Sequence, residues 1–370
     1  MTPNPSFEAR PNIKTPGPLN GLALFSIVRA WGFAAGPAST RTLGSRVRVP
    51  MPLDHFVSQV HLKNFYSPVL GKRMFALRKT DMKAFTPDAY SVCRIPDGST
   101  NQYLSEPRAI EDFLKDIEPN YNRALADIVS DKVCRETVFV LAGFIAYVLT
   151  CSPGGMRMHS EPHRGAVAET ARLLDKTGEF GTPPPELSGG TLTELLDSNR
   201  VQVQVDPKYP QAMGISSIHE RTNAFGNFRW EVLINDWKDS PFFTSDFPVA
   251  IEHTKDRRII NRLVPLSPTL AVRIHPDLSY DQSAQDFTFP GFRRIVRRPT
   301  YAEVARINRL LVQCAESTVF FRDNHDWVER LVRANATFRI EPHTDRLPYG
   351  TCTLLVSSLQ VARQESSTGA

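Results

Sequence analysis

The run ETVFVLAGFIAYVLT, residues 136–150, is apolar on every side of a helix for about four turns. A helix without a polar face has to be surrounded. It is too short for a bilayer, which takes roughly 20 consecutive apolar residues, so it predicts a buried central helix that the rest of the chain must wrap. With 370 residues, 41% hydrophobic and 22% charged, there is enough chain to do so. The 29 prolines against 20 glycines predict many turns and interrupted helices rather than a long bundle. No repeat of fixed period is visible.

Around that helix the pattern divides into two halves. Asp54 is placed to cap a short helix with His55 and Gln59 four apart on one side and Phe56, Val60 and Leu62 turned inward. Segments 71–79 and 88–95 read as strands. From Glu106 the spacing of Ile110, Phe113, Leu114 and Ile117 is helical; Pro119 breaks it, and a second helix carries Leu125 and Ile128. Ser160 and Pro162 are expected to start a further helix ending near Lys176, so that His159 and His163 of HSEPH would not share a helical face. GEFGTPPPELSGG, residues 178–190, is the clearest linker, and TLTE after it is a capping box.

The later half is richer in strands. FRWEVLIND, SPFFTSDFPVAIEH, LVPLSPTLAVRIHP and TFRIE are short apolar or alternating runs, interrupted by helices over 301–321 and 325–336. The fold class is therefore α+β, an N-terminal helical half packed with a mainly antiparallel sheet. The expected division is a flexible basic leader (1–53), one α+β domain (54–362) of two lobes joined near 178–190, and a disordered tail (363–370).

The net charge of +5 and pI near 8.9 raise the question of nucleic acid. Residues 1–53 hold Arg10, Lys14, Arg29, Arg41, Arg46 and Arg48 against Glu8 alone, six minus one. The remaining 38 basic and 38 acidic residues balance, so global charge gives no support for phosphate-backbone binding. A local patch is left: Arg293, Arg294, Arg297 and Arg298, with Phe292 and Tyr301 nearby, is the candidate contact for nucleic acid or a nucleotide, with a solvated or ion-paired turn as the ordinary alternative. The leader has eight prolines and one short apolar run, LALFSIV, stopped by Arg29. A transit peptide and a translation start at Met51 are both open readings of it.

Five cysteines, an odd number and widely spaced, with no C-x-x-C pair, argue against a disulfide framework or structural zinc and for a reducing, cytoplasmic setting. SPGGM and LSGGT lack the lysine of a phosphate loop, and no G-x-S-x-G elbow is present. Asp, Glu and His are too scattered to propose a metal site, and no motif identifies a cofactor.

HFVSQVHLKNF, AIEDFLKDIE, FFTSDFPVAI, VPLSPTLAV and INRLLVQCAESTVFF occur in the order found in the uncharacterised bacterial family known as domain of unknown function 4238, and the chain resembles that family from His55 to about Asp323. One departure is that TCSPGG stands after the central helix, where the family tends to have an arginine near a proline. The resemblance implies a fold and family positions, and no reaction.

Three polar residues are the candidates for chemistry. His55 brings the side chain best suited to exchange a proton near neutral pH, in the first turn of its expected helix. Asp246 stands where the apolar FFTS run meets Pro248, at the end of a strand, although an Asx turn would place it equally well. Asn308 lies in the apolar face of Val304, Leu311, Val312 and Ala315, and an unpaired buried amide costs roughly 1–3 kcal/mol, so it requires partners. Gln59, Asn64, Ser245 and Glu118 are the expected substrate contacts. Two readings follow. One is a hydrolase or nuclease acting on a nucleotide or nucleic acid, with His55 as base, Asp246 orienting and Asn308 positioning. The other is a non-catalytic binding or interaction module whose polar network specifies packing.

Overall fold

The structure, a computed structural model, describes residues 52–130, 132–180, 190–256, 259–281, 285–350 and 352–364. Most of the expected leader (1–51), the centre of the expected linker (181–189) and the end of the expected tail (365–370) lie outside the described residues.

Strand β1 (Leu53–His55) pairs antiparallel with β4 (Arg94–Pro96), and α1 (Gln59–Lys63) follows β1 directly. Asp54 and His55 are thus extended, and Asp54 caps no helix. The reason is local: the main chain of Phe56 is tied to Cys93 and that of Asp54 faces Ile95, so the ladder holds this stretch. Of residues 88–95 only the last two belong to a strand, because Asp88 accepts from the Ser91 amide and closes a turn. Strands β2 (Phe75–Arg78) and β3 (Ala84–Phe85) join β6 (Thr244–Ser245) and β11 (Thr318–Phe321) in a sheet ordered β3-β2-β11-β6.

The helical layer consists of α2 (Ala109–Ile117), a 3-10 turn (Glu118–Asn120), α3 (Tyr121–Val129), α4 (Arg135–Cys151), α5 (Pro153–Lys176), α6 (Leu192–Asp197), α7 (Lys208–Ser216) and α8 (Ile218–Gly226). Every residue of α4 from Thr137 to Cys151 is buried, as a helix apolar all round demands. Helices α2, α3, α5, α7 and α8 surround it. Gly143 permits the close approach of α2, since a Cβ there would stand 2.5 Å from the Ile117 side chain. Among the described residues no single helix is long and apolar enough to cross a membrane.

Helix α5 starts at Pro153, nine residues before the expected Pro162. Ser152 accepts from the Gly155 amide and Pro153 occupies the first turn, a stronger start than Ser160, and Pro162 is carried inside the helix. His159 and His163 consequently lie one turn apart on one face, the reverse of the sequence expectation.

A five-stranded sheet completes the core, in the order β10-β5-β9-β8-β7: β5 (Arg229–Ile234), β7 (Ala250–His253), β8 (Ile260–Ser267), β9 (Leu270–His275) and β10 (Arg293–Arg297). All its pairs are antiparallel except β10 with β5. The arginine-rich stretch read as a turn is therefore an edge strand. Helix α9 (Tyr301–Cys314) stops short of 321, where TVFF becomes β11, and α10 (Asp326–Asn335) follows. The chain then forms a hairpin of two long strands, β12 (Phe338–Tyr349) and β13 (Cys352–Arg363), against α5.

The faces of the five-stranded sheet follow from its register. Trp230, Ile274, Arg262 and Ile251 make one cross-strand row, and the Trp230 indole donates to the Phe225 carbonyl of α8, so this face meets the helical layer. Glu231, Arg273 and Leu263, one residue on, make a row on the opposite face, where Glu303 of α9 reaches Arg273.

Candidate active site

A cavity of about 180 Å³ opens where β1, α2 and the 3-10 turn meet the middle of α4, lined by Leu53, Asp54, His55, Gln59, Ser99, Glu111, Leu114, Glu118 and Tyr147. It gathers His55, Gln59 and Glu118 of the residues proposed from sequence. Asp246, Asn308, Ser245 and Asn64 do not line it.

His55 is held at both ends. Its main-chain carbonyl accepts from the Tyr147 hydroxyl, and its ring Nε2 lies 3.1 Å from the Tyr90 carbonyl oxygen. A carbonyl only accepts, so Nε2 carries a proton and, in the neutral ring, Nδ1 keeps its lone pair. Burial pushes the Tyr147 phenol well above its ordinary range, so it stays a donor. His55 sits at the end of β1 and not in the first turn of a helix.

The carboxylates differ in how far they are already used. Asp54 accepts the Ser99 amide at 3.0 Å and pairs with Arg108 at 3.0 Å, and Arg108 also reaches Glu111 at 3.2 Å. Glu118 accepts from the Ser58 hydroxyl through one oxygen. Three carboxylates against one guanidinium make the cavity acidic. Among the described residues no group of three or more His, Cys, Asp or Glu side chains is placed to hold a metal ion.

The other candidates are bonded elsewhere. Asp246 lies half-buried beside β11 and accepts the amides of Glu316, Ser317 and Thr318 at 3.0, 2.8 and 3.0 Å, closing the turn between α9 and β11. Burial and the Glu316 charge push its carboxyl up to about 7, against the pull of those amides and of Lys79. Asn308 is fully buried; it donates to the Pro241 carbonyl at 2.8 Å and accepts from the Phe243 amide at 3.2 Å. The expected partners, Asp246, Ser245 and the His55 segment, do not supply these bonds. Ser245 accepts from the Phe247 amide. Asn64 donates to the Val60 carbonyl and to Asn122 and borders a separate depression with Leu125 and Ile234. Folding therefore does not gather His55, Asp246 and Asn308, because main chain close to each of the last two satisfies it first.

Sequence reasoning passed over His61, which is fully buried on α1 between the Tyr121 hydroxyl and Thr244, at 2.8 Å each, and stacks on Phe144 at 4.8 Å. Burial alone lowers its pKa to about 3. It pins α1 to both the helical layer and β6. Its place between Val60 and Leu62 was the only signal. Ser99 and Glu111 were missed because nothing in their own segments shows that they face β1.

Fold and cavity together define an α+β protein with a small acidic pocket holding a fixed imidazole. The family model described as protein of unknown function (DUF4238) matches residues 54–325, and the chain belongs to that family. No curated protein and no solved structure matches the chain.

Proposed function

We propose that the protein is a hydrolytic enzyme acting in this cavity on a small neutral or cationic molecule, with His55 Nδ1 as the proton acceptor and Asp54, Glu111 and Glu118 holding the substrate. The observation that carries the reading is the fixed tautomer of His55 in a cleft lined by the carboxylates of Asp54, Glu111 and Glu118. The acidic lining repels phosphate, which speaks against a nucleotide or nucleic acid here. Arg293 and Arg294 donate to main-chain carbonyls, while Arg297 and Arg298 pair with Glu231, Glu303 and Asp236, so contact with nucleic acid through this strand would have to compete with those bonds.

A panel of nitrophenyl esters, nitrophenyl glycosides and aminoacyl nitroanilides tests the proposal. Turnover of at least one is expected, falling about a hundredfold in His55→Gln at unchanged melting temperature. Turnover that survives His55→Gln would remove the proposed role. The binding-module reading draws on one specific observation, the complete main-chain bonding of Asp246 and Asn308, which leaves the strand side without a second catalytic group. It predicts ligand-induced stabilisation that Glu118→Gln weakens, with no turnover of any panel member.

A further inference from the structure

The hairpin of β12 and β13 is a sheet of two strands, and among the described residues no third strand joins either edge. It lies beyond residues 54–325, the part that the family model matches. A ribbon of two strands carries a row of main-chain donors and acceptors along each side. Unless side chains blunt it, such a row is a template for another strand.

One face of the ribbon is already used. Ile340 is buried, Arg346 pairs with Glu169 of α5 at 2.7 Å, and a Cβ on Gly165 of α5 would meet the Thr344 methyl group at 3.1 Å. Side chains alternate along a strand, so these residues and their partners Val361, Leu355 and Ser357 face α5. The other face turns outward and is apolar toward the tip. Leu347 stands opposite Leu354 there and Tyr349 opposite Cys352, with Val356 next along β13, and all five are exposed.

The two edges differ. An antiparallel ladder bonds every second pair, and the residues between turn their N–H and C=O away from the partner strand. Pro342 and Pro348 have no N–H to give and both fall in one alternate set of β12, so that set and its partners on β13 are the outward ones. On β13 they run from Thr353 through Leu355, Ser357 and Leu359 to Val361. The β12 edge is thus interrupted twice by proline, and its strand carries Arg339, Glu341, Asp345 and Arg346. From Cys352 to Ala362, β13 has neither a proline nor a charged side chain. Prolines and charges are what keep edge strands apart, and β13 lacks both.

A strand that fits this edge has to be free of charge and proline over the same length, and β13 of a second copy meets that requirement. Centred on Ser357, the middle of the outward set, β13 set antiparallel against itself brings Thr353 opposite Val361 and Leu355 opposite Leu359. Each outward N–H then faces a C=O and no like charges meet. Exposed Val356 lies diagonally across from its counterpart, within side-chain reach.

We propose that β13 pairs antiparallel with β13 of a second copy across a two-fold axis, joining two hairpins into one sheet ordered β12-β13-β13-β12. The prolines of β12 end that sheet on both sides, so assembly stops at two. The pairing calls on none of the residues that line the His55 cavity and stands whether or not that cavity is catalytic.

Sedimentation velocity of the full chain over a dilution series tests this. A dimer that dissociates on dilution is expected. Val356→Lys sets two like charges diagonally across the axis, and Ser357→Pro removes an outward N–H while taking no bond from the hairpin. Each is expected to raise the dimer Kd roughly tenfold or more with the circular dichroism spectrum unchanged, and either decides the matter if the other does not fold. Leu347→Lys, on the same outward face but on β12, is expected to keep the dimer. A chain that stays monomeric at about 100 μM, or that grows beyond two copies, would overturn the proposal. So would a dimer lost in Leu347→Lys and kept in Ser357→Pro, which puts the partner on the face and not on the edge.

Discussion

Arg273 and Arg262 lie on adjacent strands of one sheet, one residue apart in register, and point to opposite faces. Arg273 meets three carboxylates: Glu231, Glu252 at 2.8 Å and Glu303 at 3.3 Å. With Arg297 and Arg306 added, three arginines face three glutamates and the charges cancel. Among the described residues Arg262, half-buried on the other face, makes no hydrogen bond and no ion pair. The difference separates two uses of one residue type. A guanidinium bracketed by glutamates joins β5, β7, β9, β10 and α9, whereas Arg262 ties β8 to no other element through an ion pair among the described residues.

The largest expected effect lies on the paired face. Glu231→Ala leaves Arg273 and Arg297 each short of a carboxylate, and removing one member of an enclosed pair costs about 3–5 kcal/mol. Urea denaturation followed by circular dichroism would measure it, and a loss below about 1 kcal/mol would mean that the network is a surface decoration.

A smaller effect should appear on acidification. Hydrogen bonds and charge from Arg297, then Arg273, lower Glu303 from 4.5 to about 2. Its folded value is depressed, so its contribution is complete above about 4.5 and is lost as the pH falls toward 2. His61, held neutral to about 3, adds an earlier loss that begins below 6.5, where the unfolded ring takes a proton and the folded one does not. Stability measured from pH 7 to 2.5 should fall in both windows. Glu303→Gln should flatten only the lower one; a parallel decline in parent and variant would separate Glu303 from acid sensitivity.

The smallest effect is expected for Arg298→Ala. Its pair with Asp236 is 70% and 63% exposed, and such pairs contribute within about 0.5 kcal/mol. A calorimetric melting temperature shifted by more than a few degrees would show that edge strand β10 depends on this pair.

Features that depend on a segment's own side chains were legible in the sequence. Helix α4 was readable because all its faces are apolar, and α6 because Thr191 and Glu194 form the capping box their spacing announces. The strands β5, β8 and β9 followed from apolar runs ended by Asp, Ser and Pro. The β12–β13 hairpin was visible only as TFRIE, since Pro342, Pro348 and a polar register hide its length. Of the proposed site, His55, Gln59 and Glu118 do line one cavity, whereas the gathering of Asp246 and Asn308 with His55 was inferred from their need for partners. That need was real, and nearby main chain met it. The contrast between Arg273 and Arg262 was out of reach, because which arginine meets a carboxylate among the described residues is decided only by folding.

Urea denaturation of Arg262→Met and Arg273→Met beside the parent chain, in chloride buffer free of phosphate and sulfate, tests the contrast most directly. Arg273→Met should lose about 3 kcal/mol or more, and Arg262→Met should be at least as stable as the parent, because an apolar chain of similar length replaces an unpaired charge. Equal losses in the two variants would contradict the account.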